Sequence, residues 1–292
     1  MLKRIFVCLS RTLAITGPLD ILENEKIIRQ QGESQSTYQI NPADRCALET
    51  AMQLKRDCGI EVIALTFSLP EEIAALKMAY ACGADRCVHL MHPVGALIDG
   101  WVAARMIATY LTGVLQTSDI ILCGDSLADT SGAQVGPIIA ELLGLPQITH
   151  VVNVTHQPGS NFIEAFRLLE RGDRQRVSCT LPALAAVSQF GVPGRYTAML
   201  RALQTPANKI ETVDANPIAV GVQPLCQVKS ISRPRPRTKK VAAPSAKLSA
   251  ADRMKFLMSG GQAKQESSLF EGSPEEAADR IINYLQENNL IN

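Results

Sequence analysis

Aromatic residues are scarce in this chain of 292 residues, at 4% with a single tryptophan. Proteins that grip single-stranded nucleic acid stack bases on aromatic rings, so that class is excluded at the outset. A charge excess is lacking too. Lys and Arg number 29 against 28 Asp and Glu, a net of +1, so no overall field draws the chain to nucleic acid or to an anionic membrane. No apolar run reaches the ~18 residues of a membrane span. The N-terminal MLKRIFVCLS has too short an apolar stretch, and no small-residue cleavage pattern, for a signal peptide; it reads as a first buried strand.

Paired cysteine spacing is missing as well. The eight cysteines (Cys8, Cys46, Cys58, Cys82, Cys87, Cys123, Cys179, Cys226) are scattered with no C-x-x-C, and several lie inside apolar runs where a thiol acts as a small hydrophobe. That usage implies a reducing interior, and a cytoplasmic location is expected. Of the four histidines, only His89 and His92 are close, and they read as a polar strand end, so no metal site is expected. A Walker lysine, a G-x-G-x-x-G and a nucleophile elbow are all absent. Ser126, Asp125 and His150 alone do not make a catalytic triad, and no enzyme activity is expected.

What is present is alternation. Apolar, β-rich runs at Arg4–Leu9, Glu61–Phe67, Arg86–Leu90 and Asp119–Cys123 are separated by helical patterns at Asp44–Arg56, Pro70–Ala81, Ala96–Leu115 and Ala133–Leu143. This predicts an α/β fold: a parallel sheet with helices on both faces, its ligand beyond the carboxyl ends of the strands at a switch in strand order. Beyond Pro146, the runs Gln147–Val154, Phe162–Leu169 and Arg176–Cys179 are joined by polar turns, predicting an appended antiparallel β ribbon, and Leu181–Val187 is one further apolar run. The nucleotide-binding domain is expected over residues 1–216. Residues 217–292 are expected to form an extended C-terminal arm packing on a partner subunit. Its KSISRPRPRTKK carries six basic residues and two prolines and reads as a solvated linker, not a nucleic-acid site. The arm closes with a short helix near LSAADRMKFLM and a terminal helix capped by Ser273, with Ala278, Ile281, Ile282 and Leu285 along one face.

The most informative stretch is DIILCGDSLADTSGAQVGPIIAELLGLPQIT, Asp119 to Thr149: a strand, a polar loop and a helix opening, bracketed by Gly124, Gly132 and Gly136. Small residues before a helix start leave backbone N–H groups open to a phosphate. By itself this pattern is equally an ordinary glycine-punctuated turn.

The stretch resembles the nucleotide loop of electron-transfer flavoprotein beta subunits, through Gly124, Ala128-Asp129, Gln134 and Gly136 and the ending Leu143-Gly144-Leu145-Pro146-Gln147. Three other segments are similar in the same order: Asn41-Pro42-Ala43-Asp44 with Ala47-Leu48-Glu49; Cys82-Gly83-Ala84-Asp85-Arg86; and Leu181-Pro182-Ala183 with Arg195-Tyr196. The resemblance covers about residues 1–205 and marks a divergent member. It implies a fold akin to the adenine-nucleotide alpha-hydrolases and a heterodimer with an alpha subunit that carries FAD. It also implies, within this subunit, either AMP or, in the bifurcating class, a second FAD. Carried over, the phosphate meets the amides of Ala133, Gln134, Val135 and Gly136 behind Gly124 and Gly132. Asn41 and Asp129 bond the ligand, and Cys8 and Thr66 border the adenine. Asn41 reads equally as the N-cap before Pro42, and Asp129 as the brace of its own loop.

Five departures from the family pattern stand out. Asp125 replaces a basic residue after the loop's first Gly, Val135 replaces a Thr, and Arg11-Thr12-Leu13-Ala14 lacks the usual Val-Pro-Asp. Ala133–Pro137 resembles the bifurcating class, yet its Gly-Asp-Thr is missing. The partner-recognition loop, Ser188 to Tyr196, has Gly191 where the family carries a Leu anchor, leaving Phe190 or Val192 to substitute. The implied partner is thus a dehydrogenase or oxidoreductase other than the standard acyl-CoA dehydrogenase. The alternative kept open is a flavin-independent adenine-nucleotide regulatory module or hydrolase of the same fold.

Overall fold

The computed structural model describes residues 2–14, 19–22, 27–30, 38–69, 73–92, 98–128, 132–204, 209–215, 222–231, 244, 248–258 and 272–287. In chain order it begins β1 (Arg4–Cys8), β2 (Arg11–Leu13), β3 (Leu19–Leu22), β4 (Ile27–Gln30), β5 (Tyr38–Ile40) and α1 (Pro42–Cys58). There follow β6 (Glu61–Ser68), α2 (Ala74–Cys82), β7 (Arg86–Met91), α3 (Gly100–Val114), β8 (Asp119–Gly124) and α4 (Val135–Leu143). Next come β9 (Gln147–Thr155), β10 (Phe162–Leu168), β11 (Arg174–Thr180), β12 (Ala183–Val187), α5 (Met199–Gln204) and β13 (Ile210–Asp214), then α6 (Ala250–Met258) and α7 (Pro274–Glu287).

Nine strands form one sheet in the order β11-β10-β9-β12-β8-β1-β6-β7-β13. Only the pairs β9–β10 and β10–β11 are antiparallel; the others run parallel, from β9–β12 across to β7–β13. The expected ribbon is therefore present, and the apolar run before Val187 is its junction: β12 inserts in parallel between β8 and β9. The period-2 alternation of β1 distributes the core. Ile5 and Val7 pack with Ala47, Leu48 and Ala51 of α1 and Leu76 of α2. Phe6 and Cys8 pack on the opposite face with Ile107 and Leu111 of α3 and Ile139 of α4. Strands buried on both faces have to be apolar throughout, which is why they read as continuous hydrophobic runs.

Helix α1 begins at Pro42, two residues before the expected Asp44, because a proline is accommodated in the first turn; α2, α3 and α4 begin inside their expected bounds. Helix α2 begins at Ala74, while residues 70–72 of that expectation lie outside the described residues. Helix α3 begins at Gly100 because Asp99, in extended conformation, accepts the N–H of Val102 and caps it. Periodicity missed β13, α5 and two small antiparallel pairs, β2–β5 and β3–β4, all short.

The chain divides into two compact units, Met1–Ser232 and Arg233–Asn292. In the second, α7 opens with a capping box: Ser273 Oγ accepts the Glu276 N–H at 3.3 Å and Glu276 Oε2 accepts the Ser273 N–H at 3.1 Å. Ile281, Ile282 and Tyr284 of α7, and Met254, Leu257 and Met258 of α6, are exposed. No helix among the described residues is long and apolar enough to cross a membrane.

Candidate functional site

The chain runs from β1 outward through β6 and β7, then returns to the other side of β1 as β8, so the switch in strand order lies between β1 and β8. A cleft of about 620 Å³ opens there, beyond the carboxyl ends of β1, β6 and β8. That volume falls in the range of small-molecule sites, about 300–1,000 Å³. Its floor holds Cys8 to Arg11, Thr66 to Ser68, and Cys123 with Gly124; one wall is Gly132 to Val135 at the start of α4, and another is Ile98 to Gly100 with Cys226 to Val228.

Cys8, Thr66, Gly124, Gly132, Ala133, Gln134 and Val135 line this cleft, which gathers most of the residues singled out from the sequence. Asn41 and Gly136 stand behind the lining, and Asp129 lies outside the described residues, as do Thr130 and Ser131. The Asn41 side chain makes no capping bond to α1. Its Nδ2 donates to the Ser126 carbonyl at 2.7 Å and its Oδ1 accepts the Ala128 N–H at 3.1 Å, so the N-cap reading gives way to a clamp on the loop after β8. The loop closes on itself where Leu127 N–H donates to the Gly132 carbonyl at 2.9 Å.

The two bracketing glycines are set by packing. A Cβ on Gly136 would come within 2.7 Å of Cys123 Sγ, so this position lets α4 lie directly on β8. A Cβ on Gly124 would lie 2.8 Å from Ala43 Cβ and 2.9 Å from the Asp44 nitrogen. Close approach is needed because Asp44, in the first turn of α1, ties the strand ends together. Its Oδ1 accepts the Gly124 N–H at 2.7 Å; its Oδ2 accepts the Ser10 N–H at 2.7 Å and the Ser10 hydroxyl. Burial lifts the Asp44 carboxyl to about 6, outweighing the donors from Ser10 and Gly124 that pull it down. Burial likewise pushes the Cys8 thiol up to about 12, with Asp44 adding to it, and a thiol so placed packs as a hydrophobe. Thr66 Oγ1 donates to the Leu9 carbonyl at 2.8 Å, holding β1 to β6 at the cleft floor.

Asp125, which stands where the family carries a basic residue, is paired away from the cleft. Asp125 does not line the cleft; its Oδ2 lies 2.9 Å from His150 Nδ1 and its Oδ1 accepts the Ser126 hydroxyl at 3.1 Å. This arrangement is not a hydrolytic triad, because the hydroxyl bonds the carboxylate and not the imidazole. Asp44, Ser10, Arg11, Asp99 and the Cys226–Val228 segment were not singled out as site residues from the sequence. Asp44 carried a signal, an acid at the third helical position after Asn-Pro; Cys226–Val228, in a stretch without periodicity, carried none.

The loop Ser188 to Tyr196 lies on the other side of α1. Arg195 forks onto Glu49, with Nε–Oε2 at 2.6 Å and Nη2–Oε1 at 2.8 Å, and its backbone N–H reaches the same carboxylate at 3.2 Å. Arg45 Nη2 donates to the Arg195 carbonyl at 3.2 Å and its guanidinium sits 5.8 Å from the Tyr196 ring centre. Gly191 is pressed on backbone: a Cβ there would lie 3.0 Å from the Ser188 carbonyl oxygen and 3.2 Å from that of Val152. Phe190 and Tyr196 are 72% and 93% exposed, whereas Val192 is half-buried.

Comparison with known proteins agrees with this geometry. The electron transfer flavoprotein domain matches residues 32–217. The chain belongs to the electron transfer flavoprotein family, on its beta-subunit side. It is 26% identical over 229 residues to the acryloyl-CoA reductase electron transfer subunit gamma of Anaerotignum propionicum, covering 78% of this chain and 83% of that one. Protein FixA of Azorhizobium caulinodans is 32% identical over 224 residues, 74% of this chain and 77% of its own length. The electron transfer flavoprotein subunit beta of Bacillus subtilis is 31% identical over 202 residues, 65% and 75% of the two chains. The first and third of these relatives carry electron-transfer names, and the family places this chain among electron carriers rather than catalysts.

Proposed function

We propose that this chain is the beta subunit of a heterodimeric electron-transfer flavoprotein and holds an adenine nucleotide, AMP or a second FAD, in the cleft between β1 and β8. The observation that carries the reading is the cleft itself, at the switch in strand order, with the α4 start forming one wall. The first turn of a helix leaves N–H groups without intrahelical acceptors, and its dipole favours an anion. Ala133, Gln134 and Val135 would receive a phosphate, with the adenine toward Cys8 and Thr66; Asn41 and Asp44 hold the surrounding loops, and Asp129 is assigned to the same loop. Asp125, paired with His150, does not oppose a phosphate there. A bound flavin supplies the redox chemistry, and the protein supplies binding, orientation and exclusion of water.

The partner-facing parts follow the same reading. The alpha subunit carries FAD and covers the apolar side chains of α6 and α7. A dehydrogenase or other oxidoreductase docks on Ser188 to Tyr196, with Phe190 as the anchor, since Gly191 cannot bear one and Val192 is half-buried. Ala133 is exposed, so Ala133→Trp should fold normally. Its expected outcome is loss of bound nucleotide from the purified heterodimer, measured by release and chromatography. Full nucleotide content in that variant would overturn the assignment of the α4 start as the phosphate site.

A further inference from the structure

An acid beside a site proposed for a phosphate needs a reason, and Asp99 has one. It lines the cleft and caps α3, its Oδ1 accepting the Val102 N–H at 2.8 Å. Asparagine would cap as well. What only a carboxylate does is accept on its second oxygen also, and Oδ2 takes the N–H groups of Leu225 at 2.7 Å and Cys226 at 3.0 Å. The segment so held forms part of the cleft wall, through Cys226, Gln227 and Val228. A second observation fixes its course: Val222 packs against the cluster of Val102, Met106 and Ala215, so the segment is seated beside α3 just before it meets Asp99. Leu225, which donates to Asp99, is itself 73% exposed.

We infer that Asp99 is a positioning residue that latches the Leu225–Val228 strap into the cleft wall and thereby sets how slowly the bound nucleotide leaves. This rests on the cleft being the nucleotide site. A strap wall contributes chiefly to retention, because the ligand can leave only when the wall opens, so the effect belongs in the dissociation rate. With both oxygens committed to N–H donors, the Asp99 charge is also screened from the ligand's phosphate.

The test uses the full chain with its alpha-type partner, and AMP and FAD as probes. Asp99→Asn keeps the α3 cap but turns an amide NH2 toward the Leu225 and Cys226 donors. Leu225→Pro removes one donor from the strap side and touches no lining residue. Each should speed release of the bound nucleotide on the order of tenfold, as expected for loss of a hydrogen bond to a charged group. The double variant should release no faster than the stronger single one, because both break the same contact. Release at the wild-type rate in both single variants, or fully additive effects, would overturn the latch while leaving the cleft assignment intact. A wild-type protein that takes up neither AMP nor FAD would overturn both.

Discussion

At the scale of single residues, Asp44 is the centre of the site's rigidity. It joins the end of β1 to the end of β8, across the seam where an α/β sheet reverses its strand order. Gly124→Ala should therefore destabilise the chain by about 1–3 kcal/mol through overpacking against α1, read by chemical denaturation; a change under about 0.5 kcal/mol would contradict the close approach. Asn41→Ala removes both bonds that hold Ser126 and Ala128, and should loosen nucleotide binding about tenfold at a modest cost in stability, measured by titration of apo-protein. Asp44 also sets a pH dependence. With its folded value raised to about 6 against an ordinary 3.8, its proton favours the fold. That contribution is complete below about pH 4 and is lost as pH rises through about 6. Wild-type stability should accordingly fall relative to Asp44→Asn between those limits, by at most about 3 kcal/mol.

At the scale of elements, α1 has two working sides. Its start holds Asn41 behind the cleft and Asp44 in its lining, while Arg45, Cys46 and Glu49 meet the Ser188–Tyr196 loop. Only 8% exposed, Glu49 meets Arg195 through a planar two-bond fork that neither Gln nor Lys can reproduce. Glu49→Gln should raise amide hydrogen exchange across residues 188–196 at least tenfold while leaving nucleotide content unchanged; unaltered protection would show that the pair does not hold the loop. This element also shows what was legible in the sequence. Its 3.6-residue periodicity and the Asn-Pro opening announced a helix, and long apolar strands announced the sheet. The destination of its polar side chains was not legible, because Asn41 and Glu49 find partners 85 and 146 residues away, and a local pattern holds no record of such pairings. The same limit hid β13, whose five residues pair with β7 but alternate too briefly to stand out. It hid the strap as well, whose Leu225 bonds a carboxylate 126 residues earlier. The turn from β8 to α4 was legible because its signal, small residues between a strand and a helix, is local.

At the scale of the whole molecule, a nearly neutral α/β unit presents a cleft at its switch point and a braced loop with exposed aromatics. A second unit, 233–292, carries helices whose apolar side chains face outward. Both exposures make sense in an electron carrier that works between partners, which is the character of its family. The central claim is that this chain brings its own adenine nucleotide to a flavin-bearing pair. The measurement is the nucleotide content of the chain co-expressed with its alpha-type subunit, purified, denatured and assayed for released FAD and AMP. The account predicts two nucleotides per heterodimer: one FAD with one AMP, or two FAD. One FAD and nothing more would contradict the assignment of the cleft, and a pair without flavin would contradict the electron-carrier reading as a whole.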